Sequence, residues 1–593
     1  MILSRRLFMA GSAAALAPLE KAWAAPPAQS AADRQFEALG KRYLEEGLKL
    51  SPIAATSIGD HRWDHEIGDF TPAGFRASAD FSRRILADLE RIPRAQLSRA
   101  NQVDAAILEN QLKGDIWSTE TLQNWKWDPL VYSGSAGGAL NSLFARDFAP
   151  LPDRLRAATS RMEKLPALLA AARANLEPAR VPSIHATTVA NQNKGLHSLI
   201  DGLVQQASAL PEADRGRLTA AATKLKAEVD AHQKWLEGTL VPNAKGDFRI
   251  GAELYDPKLR YALNSPLSRQ EIKQRAEADF ARVRVEMYGL AREVLKGRAG
   301  APAMPDSPSP AEQQAAIEAA LELAYAERPQ RNKLLETGTA MLAECTDFVR
   351  ARNLVRVPDE PVKVIEVPEF QRGVAVAYCD SPGPLDKGQE TFYMISPIPD
   401  DWTDEQATSF LREYNTRSMQ ELTIHEAMPG HYLQLAHSNT YPSTLRAVLG
   451  SGPFIEGWAC YAQDLMVEAG YMNREPLYQL VHLKWVLRMI ANAILDPAIH
   501  VDGMTREQAM EMMVKGAFQQ EREAAGKWVR AQLSSAQLPT YYVGWLQHWE
   551  TRKAVQAKWG AGYNHRRYHD QLLSYGSPPG RYVHQLMLDL PIA

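Results

Sequence analysis

The sequence predicts a mainly α protein: a large helical body with a small antiparallel β-sheet beside a metal-site cleft. Three observations carry that expectation. Apolar residues recur at helical spacing along most of the 593-residue chain, with leucine and alanine prominent and β-branched runs few. One segment, 362–399, instead alternates in short stretches around a Pro/Gly turn. Shortly after it, "HEAMPGHYLQ" (425–434) joins a His-Glu pair to a second histidine across a Pro-Gly break.

The chain begins with a segment that reads as removable. "SRRLFMAGSAAALAPLEKAWAAPP" has paired Arg5 and Arg6, a short Ala-rich apolar run, and an A-x-A cleavage signal at Ala22-Trp23-Ala24. The run is too short to span a bilayer, so residues 1–24 read as a signal peptide and not as a membrane anchor. Its Arg pair resembles the twin-arginine type, which places the mature protein in the periplasm or outside the cell, cut near Ala24/Ala25. Three cysteines, Cys345, Cys379 and Cys460, are too few for a disulfide framework, and no C-x-x-C pair offers a thiolate metal site. A formal net charge of −3 gives no footing for a nucleic-acid or anionic-membrane partner.

Helical patterns then fill about 31–50, 76–118, 152–175, 268–297, 311–350 and 404–426, with Leu218, Ala222, Leu225, Val229 and Leu236 marking another. "GRAGAPAMPDSPSP" (297–310) reads as a linker between an N-terminal helical part (25–296) and a C-terminal part (311–593) that holds every chemical motif. The 362–399 sheet is either an edge along which an extended peptide lies or a structural hairpin that covers the helices.

The motif raises a geometric problem. Two histidines share a metal from one helix when they stand four residues apart. His425 and His431 are six apart, so on a straight helix their side chains diverge by roughly 120°. Pro429 and Gly430 lie between them, and a break there absorbs the extra residues and re-aims His431. A catalytic zinc needs a third protein ligand and an open position. Glu456, on the first turns of the helix opened by Gly452-Pro453, supplies it. From the residues alone, this metal site and a chance His-Glu dipeptide stand level.

"HEAMPGHYLQ" and "FIEGWACYAQDL" (454–465) resemble the signature segments of the domain-of-unknown-function 885 family of bacterial proteins, H-E-A-x-P-G-H-x-x-Q followed by E-G-W-A-x-Y-A. Further stretches at 51–64, 495–509, 529–544 and 568–579 resemble other family segments, so the likeness covers nearly the whole mature chain. It implies a largely helical gluzincin-like zinc hydrolase, expected to be a peptidase. Gln463 stands where the family often has Glu, and Met504, Pro497 and Ala531 also depart from its pattern.

Within that resemblance, His425, His431 and Glu456 are the metal ligands and Glu426 is the general base. Zn2+ suits a His/His/Glu set, with iron, cobalt and manganese as alternatives. Tyr541, His500 and His569 are candidate donors to the oxyanion. Asp496 and His500 form either an orienting couple or an N-cap followed by Pro at the first helical position. Arg530 and Arg488 either anchor a substrate carboxylate or close salt bridges, and Tyr378 either lines the cleft or fills the core. The expected partner is a peptide or small amide. The alternatives are a zinc hydrolase of a non-peptide amide or other small molecule, and a non-catalytic peptide-binding protein.

Overall fold

The computed structural model describes residues 29–367 and 376–592. The signal segment at 1–24 and part of the predicted sheet, 368–375, lie outside the described residues. The protein is 72% helical, which is the mainly α class the sequence predicts.

Several predicted helices are shorter than their apolar patterns, each for a local reason. The 76–118 pattern divides into Pro72–Glu90 and Arg99–Trp117, parted at Pro93. The 311–350 pattern divides into Pro310–Ala326 and Leu334–Arg352, with Pro329 between them. The 404–426 pattern divides because the Asn415 side chain accepts from the Arg417 and Ser418 amides and so starts a new helix, Thr416–Glu426. Periodicity reports the buried face of a helix, and it persists through a short break that keeps the same face inward.

The sheet departs from the expectation in its topology. Strands β1 (Val362–Glu366), β2 (Ala377–Asp380) and β3 (Thr391–Ile395) are ordered β1-β3-β2. β2 runs antiparallel to β3, but β1 runs parallel to it, so the sheet is mixed and not antiparallel. Alternation fixes which face each residue takes; it does not fix the direction of the neighbour. β2 is an edge strand, and its outer side meets the Thr416–Glu426 helix.

The largest hydrophobic core runs from Tyr255 to Met587. It includes Ile272, Met287 and Leu295 before the 297–310 stretch and Ile317, Trp458 and Tyr542 after it. That stretch is therefore a connection within one packed unit, tied back by the Tyr288 hydroxyl on the Pro305 carbonyl at 2.7 Å. A second cluster gathers residues from Ile67 to Ala244.

Two helices of the main core approach unusually closely. A Cβ on Gly457 would lie 2.2 Å from the Gly544 carbonyl carbon, and one on Gly544 would lie 1.8 Å from the Pro453 oxygen. Helices Gly452–Glu468 and Pro539–Trp559 thus meet backbone to backbone, which brings Tyr541 to the side of Glu456.

The N-terminal part grips the sheet through its β2–β3 loop. The Leu385 amide donates to Ile58 at 2.9 Å, and His61 lies 3.1 Å from both Asp64 and Asp386 while stacking on Phe148. Burial opposes the charged imidazole, but the two carboxylates outweigh it and raise the pKa above the usual 6.5. A raised folded-state pKa adds stability that is complete below the ordinary histidine value and is lost as pH rises through the folded one. His61→Gln should therefore destabilise most below pH 6.5, and the gap from wild type should shrink above it. Thermal unfolding across pH checks this, and a pH-independent gap would contradict it.

Candidate metal centre

The Thr416–Glu426 helix places His425 in its last turn, with Glu426 its last residue. It stops at Ala427 because Pro429 lacks the amide hydrogen that the next turn needs. The chain turns through Met428–Gly430, and a new helix, His431–Ser438, begins at the second histidine. The turn is tight: a Cβ on Gly430 would lie 1.9 Å from the His425 carbonyl oxygen, so no residue with a side chain fits there. Trp458, fully buried two residues after Glu456 on the same helix, donates its indole hydrogen to the Pro429 carbonyl at 2.8 Å. The break and the third candidate ligand are thus fastened together.

The result is convergence. The imidazole rings of His425 and His431 lie 4.8 Å apart at 84°. Glu456 Oε2 is 3.6 Å from His425 Nε2 and 3.4 Å from His431 Nε2. One donor atom from each residue lies within 4.8 Å of the others, and among the described residues no other group of histidine, cysteine and acidic side chains gathers in this way. Two donors about 2.1 Å from one ion at a tetrahedral angle stand about 3.4 Å apart. Glu456 Oε2 is buried and has no hydrogen-bond partner among the described residues, so the three side chains face a common point without bonding to one another. The Glu456 carboxyl is held well below the usual range: burial raises it, and the two imidazoles outweigh burial. This donor set fits a divalent transition ion such as zinc.

Glu426 is anchored from the sheet. The Cys379 amide, on the outer side of edge strand β2, donates to its Oε2 at 3.1 Å. At that point the edge serves a side chain of the site and not an added peptide strand. Burial pushes the Glu426 carboxyl up to about 7, with Glu456 adding to the shift and His425 and the Cys379 amide opposing it. Tyr541 lies in the first turn of Pro539–Trp559, partly buried, with Arg530 Nη2 3.3 Å from its hydroxyl. Burial first, then the negative charge of Glu456, raises that hydroxyl to about 12. Tyr542 points away and donates to Asp279 at 2.7 Å.

Other candidates sit elsewhere. His500 is buried with Nδ1 on the Phe248 carbonyl at 3.2 Å and Nε2 on the Ala531 and Ser534 carbonyls at 2.8 Å. Asp496 does not orient it. That carboxylate accepts from the Tyr255 hydroxyl and from the Ala536 and Leu538 amides. Nor is Asp496 an N-cap, because Pro497 lies inside the Pro476–His500 helix. His569 is fully buried between the Leu354 carbonyl and the Tyr461 hydroxyl, each at 2.7 Å, and burial pushes it down to about 3. Both histidines have their nitrogens committed, which removes them as oxyanion donors. Arg488 pairs with Glu523 and Glu413 between helices and is not a substrate anchor. Tyr378 lies in β2 opposite Met394, half-buried beside Asp380. Arg530 is exposed, and among the described residues no carboxylate lies within ion-pair distance of it.

Sequence patterns assigned no role to a chain of polar side chains behind His425: Gln463, Glu421, His482 and Asp464. The spacing held a trace of it. Glu421 is four residues before His425 and Gln463 seven after Glu456, so each shares a helix face with a candidate ligand.

The chain matches the family described as "Bacterial protein of unknown function (DUF885)" over residues 52–587, and it belongs to that family. It is similar to a solved structure described as "a putative lipoprotein of unknown function from Shewanella oneidensis", at 34% identity and a TM-score of 0.80, over 93% of this chain and 99% of that one. A "putative lipoprotein from Colwellia psychrerythraea" has the same fold at 17% identity and a TM-score of 0.76, over 94% and 99%. No curated protein matches.

If these three side chains form one metal centre, the purified mature protein should carry close to one metal ion per chain. His425→Ala, His431→Ala and Glu456→Ala should each remove it while leaving the circular dichroism unchanged. Elemental analysis by mass spectrometry reads the result, and equal metal content in wild type and all three variants would contradict the assignment.

Proposed function

We propose that this protein is an exported zinc-dependent metallopeptidase. One observation carries the reading: His425, His431 and Glu456 converge on a point at ligand spacing, with a buried Glu456 oxygen that no group of the described residues satisfies. A divalent ion held by these three would polarise a substrate carbonyl and acidify a water to the point of attack near neutral pH.

The chain's own groups supply the rest. Glu426 takes the water's proton and passes it to the leaving amine. Its carboxylate is kept in place by the Cys379 amide, so the base is set before substrate arrives. Tyr541 keeps its proton at neutral pH and donates to the oxygen that becomes negative as the carbonyl is attacked. Arg530, beside that hydroxyl and, among the described residues, with no carboxylate at ion-pair distance, would receive a substrate carboxylate. Export is supported by the N-terminal segment and by relatives described as putative lipoproteins. No helix of the described residues is long and apolar enough to cross a membrane.

Peptide mixtures incubated with the protein and read by mass spectrometry should show new termini. Glu426→Gln should keep the metal and lose turnover by about 100-fold or more, because an amide cannot take up the proton. Tyr541→Phe should lower kcat about 100-fold, whereas Tyr542→Phe should leave it near wild type. Full turnover in Glu426→Gln would overturn the role of the base, and a Tyr541→Phe variant in which only KM rises would overturn that of the oxyanion donor.

A further inference from the structure

A neutral histidine ligates through the nitrogen that carries no hydrogen. For His425 to serve the centre through Nε2, its hydrogen must sit on Nδ1. Resting on the metal reading above, we infer that Gln463 is a positioning residue that fixes His425 in the Nδ1–H form, and that Glu421 fixes Gln463.

The Gln463 side-chain amide touches two partners. Its Oε1 lies 3.3 Å from His425 Nδ1, and its Nε2 lies 2.9 Å from Glu421 Oε2 and 3.3 Å from the Glu421 carbonyl. An amide can be turned either way, but a carbonyl and a carboxylate only accept. The NH2 end must therefore face Glu421, which leaves the oxygen facing His425. An oxygen there accepts the Nδ1 hydrogen and leaves the Nε2 lone pair toward Glu456 and His431.

The direction is set further back, by groups that have no choice. The indoles of Trp545 and Trp549, which only donate, give their hydrogens to Asp464 Oδ2 at 2.5 and 2.6 Å. Asp464 Oδ1 is 2.9 Å from His482 Nε2, and His482 Nδ1 is 3.1 Å from Glu421 Oε2. An imidazole between two carboxylates donates from both nitrogens. Glu421 Oε2 is thus committed as an acceptor twice over, from His482 and from Gln463. Every member is buried or nearly so, so turning one link round would leave a donor facing a donor out of reach of water.

The test uses full-length mature protein labelled with 15N in histidine. In the metal-free form, at a pH above the imidazole range, the resonance lost in His425→Asn should report a protonated Nδ1 and a bare Nε2. Gln463→Met, close in shape but without the oxygen, should lose that pattern and weaken zinc binding about 10–100-fold by calorimetry, with its circular dichroism unchanged. Gln463→Glu keeps an accepting oxygen and should keep the pattern. Should its two facing carboxylates prevent folding, Glu421→Gln/Gln463→Glu restores an amide opposite a carboxylate and is read instead. A wild-type Nε2–H pattern, or a Gln463→Met protein with unchanged pattern and affinity, would overturn the inference. A wild type that shows the Nδ1–H pattern but takes up no zinc would overturn the metal reading and leave the positioning role standing.

Discussion

The site depends on one backbone constraint: the approach of Gly430 to the His425 carbonyl. An uninterrupted helix would send the two histidines to different sides. The turn at Ala427–Gly430 brings the chain back on itself so tightly that a Cβ would fall 1.9 Å from that carbonyl oxygen. Proline ends one helix, glycine permits the return, and the next helix starts on His431. The unusual spacing and the helix-breaking residues are two sides of one solution.

That turn is then locked to its surroundings by a few specific contacts. Trp458 holds the Pro429 carbonyl from the Glu456 helix, so Glu456 and the break cannot move independently. Gly457 and Gly544 let the Pro539–Trp559 helix press against the same element, which sets Tyr541 beside Glu456. The sheet contributes the outward Cys379 amide to Glu426. The N-terminal part clamps the β2–β3 loop through His61 and Leu385, and its Gly251–Leu263 helix packs against the Glu456 helix. Fold and site are connected because the elements that bury the core also carry His425, His431 and Glu456.

Much of this was legible in the sequence, and the limits have physical causes. The helical class and the break between His425 and His431 follow from local rules about period, proline and glycine. The strand partners of β1, the extent of the core across 297–310 and the ends of the longer helices do not, because they depend on contacts between distant residues. His500 and His569 looked like catalytic candidates because a histidine's type does not reveal that carbonyls and a hydroxyl have taken both its nitrogens. Gln463 stood out only as a departure from a pattern. Its part became visible once Glu421 and His482 were seen behind it.

The central claim is that three side chains from three helices share one ion. The direct measurement is anomalous X-ray scattering at the zinc edge, from crystals of mature protein purified without chelator. The account predicts one strong peak within about 2.0–2.2 Å of His425 Nε2, His431 Nε2 and a Glu456 oxygen. Crystals grown with added zinc that show no peak there, or that place the ion on other side chains, would contradict it.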